Sequence, residues 1–254
     1  MNCNIEIAGD RHLETLRRCG GYYECPKDSM GHRLGPLVGY AFTYEPGKQF
    51  VGDIYANFSK AEMHPRVLKF FATALSLRVY ETLNVDPEVY CGAPLGGYSL
   101  SDALGFINPD AMVIKAEKKV TAMATETSRE KSKLVFGRHE IMPGQKVVIV
   151  EDVCNNFSTT EELVRLISAA GGEVLAIACF LNRSLTFDLS FALTIASVTV
   201  SIPVISLVRK PFNEWKQDDL AVAKDVAESN VVWSPKGKNG EWARLMKAMN
   251  DYTP

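Results

Sequence analysis

Apolar positions along the chain predict alternating helices and strands in its middle part. From Pro65 to Leu83 the apolar residues recur at helical spacing, whereas KVVIV at 146–150 is a nearly continuous β-branched run. A run of this kind is typical of a strand that is buried on both faces in a parallel sheet. EVLAIACFL at 173–181 has the same character, and it predicts a second buried strand.

The segment between these two strands is predicted to be a helix. It begins at Ser158, where Ser-Thr-Thr-Glu fits a capping box, and Gly171 and Gly172 end it with a left-handed stop. Strand, loop, helix and strand in this order form a βαβ unit. With shorter strands expected at 88–94 and 111–114, the fold class is α/β, a mostly parallel sheet flanked by helices.

Three regions are predicted from the order of these elements. Residues 1–60 are irregular and rich in Gly, Tyr and Pro, which indicates a small peripheral N-terminal subdomain. Residues 61–210 hold the α/β core. Residues 211–254 are a charged C-terminal extension that is expected to pack on the core, with its three tryptophans as packing anchors.

Composition narrows the class of protein. The chain has 254 residues, 46% hydrophobic and 23% charged, with a net charge of −2, so a nucleic-acid partner is not expected. Six cysteines without CxxC spacing and four histidines without ligand spacing argue against a zinc site, a disulfide framework or metal-ligating histidines. No signal peptide and no run long enough to span a membrane are visible, so a cytoplasmic protein without a membrane partner is expected.

The loop that follows KVVIV carries the candidate chemistry. In open α/β sheets ligands bind at the carboxyl ends of the strands, and a helix N-terminus there attracts phosphate. The adjacent acids Glu151 and Asp152 suit ribose hydroxyls, or a magnesium ion and its waters. The same pair is also compatible with a plain helix cap or a solvated surface.

At this loop the sequence resembles the type I phosphoribosyltransferases. VVIVEDVCNNFSTT matches the family's apolar strand, acid pair and hydroxyl-bearing loop. Four other segments fit in the same order, and they are FVGDIYANFSK, YCGAPLGGYSL, KAEKK and FLNRS. The resemblance covers about residues 50–210, and it is strongest to the orotate phosphoribosyltransferases.

The resemblance implies an enzyme of pyrimidine nucleotide synthesis. Such an enzyme transfers a 5-phosphoribosyl group from phosphoribosyl diphosphate to orotate, with Mg²⁺ as cofactor, and gives orotidine 5′-monophosphate and pyrophosphate. In the family a mobile loop reaches across to a neighbouring subunit, which implies a homodimer.

The resemblance also assigns roles to residues. Lys119, Glu151 and Asp152 are expected to be catalytic. Arg183 and Asn155 are expected to bind orotate, since a guanidinium group matches a carboxylate bidentately. The residues expected to bind phosphoribosyl diphosphate are Lys115, Leu95, Gly96, Asn155, Asn156, Phe157, Ser158 and Thr159. A surface role for Arg183, a solvated lysine face and an ordinary glycine turn at 92–97 remain alternatives.

Two departures from the family pattern leave other functions open. Asn155, Asn156 and Phe157 stand where the family carries Thr and Gly, and Phe157 is expected to need a turn without positive φ. Ala116 replaces a lysine. These residues favour a silent or regulatory ligand-binding homologue as an alternative, and a phosphoribosyltransferase for another base is a further one. The polar segment Val120–Leu134 predicts a mobile loop that orders only with ligand.

Overall fold

A computed structural model describes residues 5–9, 11–122, 131–195, 197–236 and 241–252. The chain divides into two compact units, one made of residues 1–60 and 211–254 and the other of residues 61–210. The C-terminal residues therefore share a unit with the N-terminal residues, whereas the sequence alone suggested an extension packed on the core.

Seven helices and fourteen strands occur in the described residues. The helices are α1 (His12–Arg18), α2 (Ser59–Glu62), α3 (Pro65–Leu83), α4 (Gly97–Ile107), α5 (Ser158–Ala169), α6 (Ala223–Ala227) and α7 (Glu241–Tyr252). The strands are β1 (Tyr22–Glu24), β2 (Leu37–Glu45), β3 (Lys48–Gly52), β4 (Ile54–Ala56), β5 (Val89–Gly92), β6 (Met112–Lys115), β7 (Glu117–Ala122), β8 (Lys131–Val135), β9 (Lys146–Cys154), β10 (Glu173–Asn182), β11 (Ser190–Ile195), β12 (Val198–Arg209), β13 (Trp215–Lys216) and β14 (Val231–Val232).

The unit of residues 61–210 is built on a six-stranded sheet in the order β11-β12-β10-β9-β5-β6. All neighbours are parallel except β11, which pairs with β12 in an antiparallel hairpin. Helices α3 and α4 cover one face, where Phe71 packs on Phe180 with 4.6 Å between ring centroids. Helix α5 covers the other face through Leu163 and Ile167. The predicted α/β fold is confirmed.

Strands β9 and β10 form the centre of this sheet, as their apolar runs predicted. Val147–Val150 and 176–181 have no exposed surface, and β10 is parallel to β9. Strand β9 is longer than predicted and continues to Cys154, so Glu151 and Asp152 lie on the strand itself. Helix α5 starts at Ser158, and Gly171 has a φ of 84°, as the left-handed stop requires.

The prediction of a mobile loop over Val120–Leu134 is wrong at both of its ends. Strands β7 and β8 pair as an antiparallel hairpin, and residues 123–130 lie outside the described residues. The Leu134 side chain is buried in the core beside α5, and its N–H donates to the Glu162 carboxylate at 2.6 Å. Leucine burial and this hydrogen bond fix β8 without a ligand, which the polar sequence did not indicate.

The other unit holds a four-stranded sheet in the order β13-β3-β2-β14 and a small β1–β4 pair. Trp215, Trp233 and Trp242 pack against its two apolar clusters, so they act as packing anchors as expected. In the described part of the chain, no helix has both the length and the apolar character needed to cross a membrane.

We expect the amides of β8 to be protected from hydrogen exchange in the unliganded protein. Glu162→Ala removes the acceptor of the Leu134 N–H, and it should cost about 1 kcal/mol of local stability, roughly fivefold faster exchange of that amide. The matched control is Glu161→Ala, because Glu161 pairs with Arg165 on the surface of the same helix. Fast hydrogen exchange of the amides of residues 131–135 in the wild-type protein would contradict an ordered β8 and would support the mobile loop.

Candidate active site

Most of the predicted site residues meet at the carboxyl edge of the six-stranded sheet. The register places Lys115 of β6 and Val150 of β9 on either side of Gly92 in β5. Strands β9 and β10 run further, and their last pair is Cys154 with Asn182. The edge is therefore stepped, with the longer strands forming one wall of a crevice.

The glycine loop before α4 lies directly against the end of β9. A Cβ atom at Gly97 would be 2.1 Å from the Val150 carbonyl oxygen, and one at Gly96 would be 2.2 Å from Cγ of Asp152. Neither position has room for a side chain, so the loop packs its backbone closely against β9 and is not an ordinary solvent-exposed turn. Leu95 is 78% exposed, so its side chain projects away from this contact.

The acid pair is split between two environments. Glu151 is buried, and burial together with the charge of the neighbouring Asp152 raises its pKa well above the ordinary glutamate value. Asp152 is half-buried beside Gly96. The arrangement favours a protonated Glu151, which can donate a hydrogen bond, next to a carboxylate that can accept one.

Phe157 precedes α5 in the left-handed conformation, contrary to the expectation that it avoids positive φ. Its φ is 60°, and its ring is buried against Phe187 and Phe191, each with centroids 5.2 Å away. A left-handed non-glycine residue costs about 1–2 kcal/mol, whereas burial of a phenylalanine ring contributes about 1.5–3 kcal/mol. Ring packing therefore offsets the backbone cost, and the ring is directed into the core.

The side chain of Asn156 covers the start of α5, and the predicted capping box at Ser158 is wrong. Ser158 is the first helical residue, and both its N–H and its hydroxyl donate to Oδ1 of Asn156, at 3.1 and 2.9 Å. The asparagine oxygen thus occupies the position that an oxygen of a bound anion would take at this helix N-terminus. Thr159 is half-buried in the first turn, and Asn155 is half-buried between Cys154 and Asn156.

Lys115 is held by two residues of α4 that the sequence analysis missed. Its Nζ lies 2.7 Å from a carboxylate oxygen of Asp102 and 5.5 Å from the centre of the Tyr98 ring. The Tyr98 hydroxyl donates to the Ala116 carbonyl oxygen. Tyr98 and Asp102 are four residues apart, hence on one face of the helix, and that spacing was the available signal.

Arg183 follows the last residue of β10, and its backbone N–H donates to the Cys154 carbonyl oxygen at 2.9 Å. The residue is only 6% exposed, so the alternative of a solvated surface arginine is wrong. The amide group of Asn182 donates to the carbonyl oxygens of Phe187 and Asp188, both at 3.0 Å, and so holds the turn that follows. Arg183 therefore lies at a strand end that is fixed on both sides.

Lys119 is the predicted catalytic residue that the structure does not bring to the acid pair. It lies on β7 with an exposed side chain, and in the described part of the chain it forms no ion pair with Glu151 or Asp152. The edge therefore unites the glycine loop, the acid pair, the start of α5 and Arg183, while Lys119 lies on the β7–β8 hairpin.

Comparisons with known proteins give relatives at modest sequence identity. No family model matches the chain. The chain is 28% identical over 170 residues to orotate phosphoribosyltransferase of Bartonella tribocorum. This match covers 65% of the chain and 75% of that protein. The chain is therefore similar to the type I phosphoribosyltransferases, and most of all to the orotate phosphoribosyltransferases. It is also 27% identical over 142 residues to transcriptional regulator GfcR of Methanocella arvoryzae, which covers 55% of this chain and 69% of that protein.

A solved structure shows the same fold. UMP synthase of Leishmania donovani superposes with a TM-score of 0.50 at 14% identity, over 97% of this chain and 43% of that one.

The departure from the family pattern at Ala116 is explained by its surroundings. It has no exposed surface and lies in the core cluster, where a lysine would bury its ammonium group.

The contact between Gly96 and Asp152 can be tested by a double-mutant cycle. Gly96→Ala should destabilise the protein by about 1–3 kcal/mol, because its Cβ would overlap the carboxylate. In an Asp152→Ala background the same substitution should cost clearly less. Denaturant unfolding of the four proteins measures the coupling. Equal costs in both backgrounds would show that the two residues do not touch.

Glu151 should make stability depend on pH. Its pKa is raised in the folded state, so folding is most favoured while the group is protonated in both states, and stability falls as pH rises from the ordinary glutamate pKa through the raised value. The slope is at most about 1.4 kcal/mol per pH unit. Glu151→Gln should remove this fall, as measured by denaturant unfolding across pH. A wild-type profile that matches the glutamine variant would contradict the buried, protonated carboxyl group.

Proposed function

We propose that this chain transfers a 5-phosphoribosyl group from phosphoribosyl diphosphate to orotate, forming orotidine 5′-monophosphate and pyrophosphate. The observation that carries the proposal is the convergence, at one sheet edge, of the glycine loop, the acid pair, the start of α5 and Arg183. The similarity to an orotate phosphoribosyltransferase supports the choice of reaction. We extend the proposal to a homodimer, as the family resemblance implies.

The 5′-phosphate of the donor fits the first turn of α5. Helix N-terminal N–H groups attract anions, and the hydroxyls of Ser158 and Thr159 add two donors. A phosphate oxygen would take the place of Oδ1 of Asn156 on Ser158, so the asparagine side chain must rotate away. Binding therefore exchanges one set of hydrogen bonds for a charge-assisted set.

The ribose hydroxyls fit the acid pair. The half-exposed carboxylate of Asp152 can accept from a hydroxyl, and a protonated Glu151 can donate to the same sugar. Asp152 is the residue that would hold Mg²⁺ or its waters beside the bound donor, since its half-buried carboxyl group offers oxygen ligands. When bound, Mg²⁺ neutralises charge on the diphosphate.

The leaving pyrophosphate fits the glycine loop and the lysines. Transfer through an oxocarbenium-like sugar needs mainly positioning and charge stabilisation from the protein. Backbone N–H groups near Leu95 and Gly96 can approach phosphate oxygens, since no side chain covers Gly96. Lys115 can supply positive charge if its ammonium group leaves Asp102 for the ligand, and Lys119 can do so from the hairpin.

Orotate fits the end of β10. In this position the Arg183 guanidinium can pair bidentately with the orotate carboxylate, and the Asn155 amide can bond to the pyrimidine edge. The burial of Arg183 strengthens such a pair, because water screens it less than it would at the surface.

A regulatory ligand-binding protein is the second candidate. The similarity to transcriptional regulator GfcR favours it, and so does the asparagine side chain that occupies the start of α5. The two candidates differ in turnover. An enzyme consumes orotate and phosphoribosyl diphosphate together, whereas a regulator binds ligand and leaves it unchanged.

Arg183→Ala separates orotate recognition from donor binding. The substitution removes a charge-assisted bidentate contact, so we expect a loss of about 2–4 kcal/mol in transition-state binding, roughly 30- to 1000-fold in kcat/KM for orotate. The affinity for phosphoribosyl diphosphate should change little. Steady-state turnover and donor titration measure the two effects.

Arg183→Lys is the matched control, because it keeps the charge and loses the planar fork. It should retain part of the affinity for orotate and the fold of the wild type, which far-ultraviolet circular dichroism checks. Full activity in a folded Arg183→Ala protein would show that Arg183 does not recognise orotate. Donor binding without turnover of orotate in the wild type would contradict the proposed reaction.

A further inference from the structure

The β7–β8 hairpin carries two lysines directly opposite each other. The register pairs Lys119 with Lys133, and both side chains are exposed. Residues that pair across an antiparallel ladder project from the same face, with Cβ atoms about 4.5–5.5 Å apart. The preceding pair, Lys118 with Leu134, projects from the opposite face, and Leu134 is buried there.

No carboxylate of the described residues neutralises these two ammonium groups. Glu117 shares their face of β7, but it pairs with Arg138 at 3.2 Å. Within the described ranges, neither Lys119 nor Lys133 forms an ion pair with an aspartate or a glutamate. Like charges that are directly opposite destabilise a strand pair. The hairpin therefore holds a repulsion that a bound anion would relieve.

The hairpin rises from the same sheet edge as the site. Strand β7 begins at Glu117, shortly after Lys115 ends β6. Strand β8 is tied to α5 through the hydrogen bond from Leu134 to Glu162, which lies about one turn after the start of that helix. The lysine pair is thus attached to β6, which carries Lys115, and to α5, whose first turn is the proposed site of the 5′-phosphate.

We propose that Lys119 and Lys133 together bind the diphosphate group, with Lys133 as a second cation that the sequence motifs do not assign. The inference rests on the proposed function, because it places the ligand's diphosphate at this edge. A diphosphate carries its charge on two adjacent phosphoryl groups, and two neighbouring ammonium groups match that spread of charge. The bound anion also removes the repulsion across the hairpin.

Titration of inorganic pyrophosphate in the presence of Mg²⁺ tests the pair without any need for turnover. Lys133→Met should weaken binding about tenfold, as expected for loss of one charge-assisted contact. Lys118→Met is the matched control, since it removes one exposed lysine from the other face of the hairpin, and it should leave the affinity within about twofold. Equal losses in the two variants would mean that only net charge matters and would overturn the proposal.

Lys133→Glu distinguishes ligand binding from a structural role. It creates an opposite-charge pair with Lys119, so hydrogen exchange of β7 and β8 should slow, while pyrophosphate binding should fall by more than in Lys133→Met. A structural role predicts that affinity rises with hairpin stability, and that result would overturn the proposal. If pyrophosphate affinity changes across these variants as expected but the wild type does not turn over orotate, the lysine pair is upheld and the proposed reaction is rejected.

Discussion

The parallel pairing of β9 with β10 is the constraint on which the rest of the site depends. The two strands are buried on both faces, and their register continues past the ends of β5 and β6 to Cys154 and Asn182. This extra length carries the acid pair and Arg183 to one edge. Because the Arg183 N–H continues the pairing to Cys154, a shift of one strand would move the acids and the arginine apart.

Close approach of the backbone at Gly96 and Gly97 completes this edge. The start of α4 can lie on the end of β9 only without side chains, and it brings Tyr98 and Asp102 to Lys115. At the start of α5 a bulky residue, Phe157, occupies the turn. The aromatic contacts of Phe157 hold a left-handed turn that glycine would adopt at no steric cost.

The central sheet could be predicted from the sequence because a strand buried on both faces needs an unbroken apolar run. The placement of Glu151, Asp152, Gly96 and Arg183 at one sheet edge could be predicted, because strand ends and short loops fix it. Contacts between segments that are far apart in the sequence could not be predicted. Burial of Leu134, the ion pair of Asp102 with Lys115 and the packing of Phe157 on Phe191 depend on tertiary neighbours that local periodicity does not reveal.

The proposed reaction depends first on recognition of phosphoribosyl diphosphate at the stepped sheet edge. Calorimetric titration of phosphoribosyl diphosphate with Mg²⁺, into the wild type and into Asp152→Asn, measures this recognition. Donor recognition at this edge predicts saturable binding to the wild type with one site per chain, and weaker binding to the variant because the ribose hydroxyls lose a charged acceptor. Absence of wild-type binding at a donor concentration of about 1 mM, where even a binding free energy of about 4 kcal/mol would be visible, would contradict it.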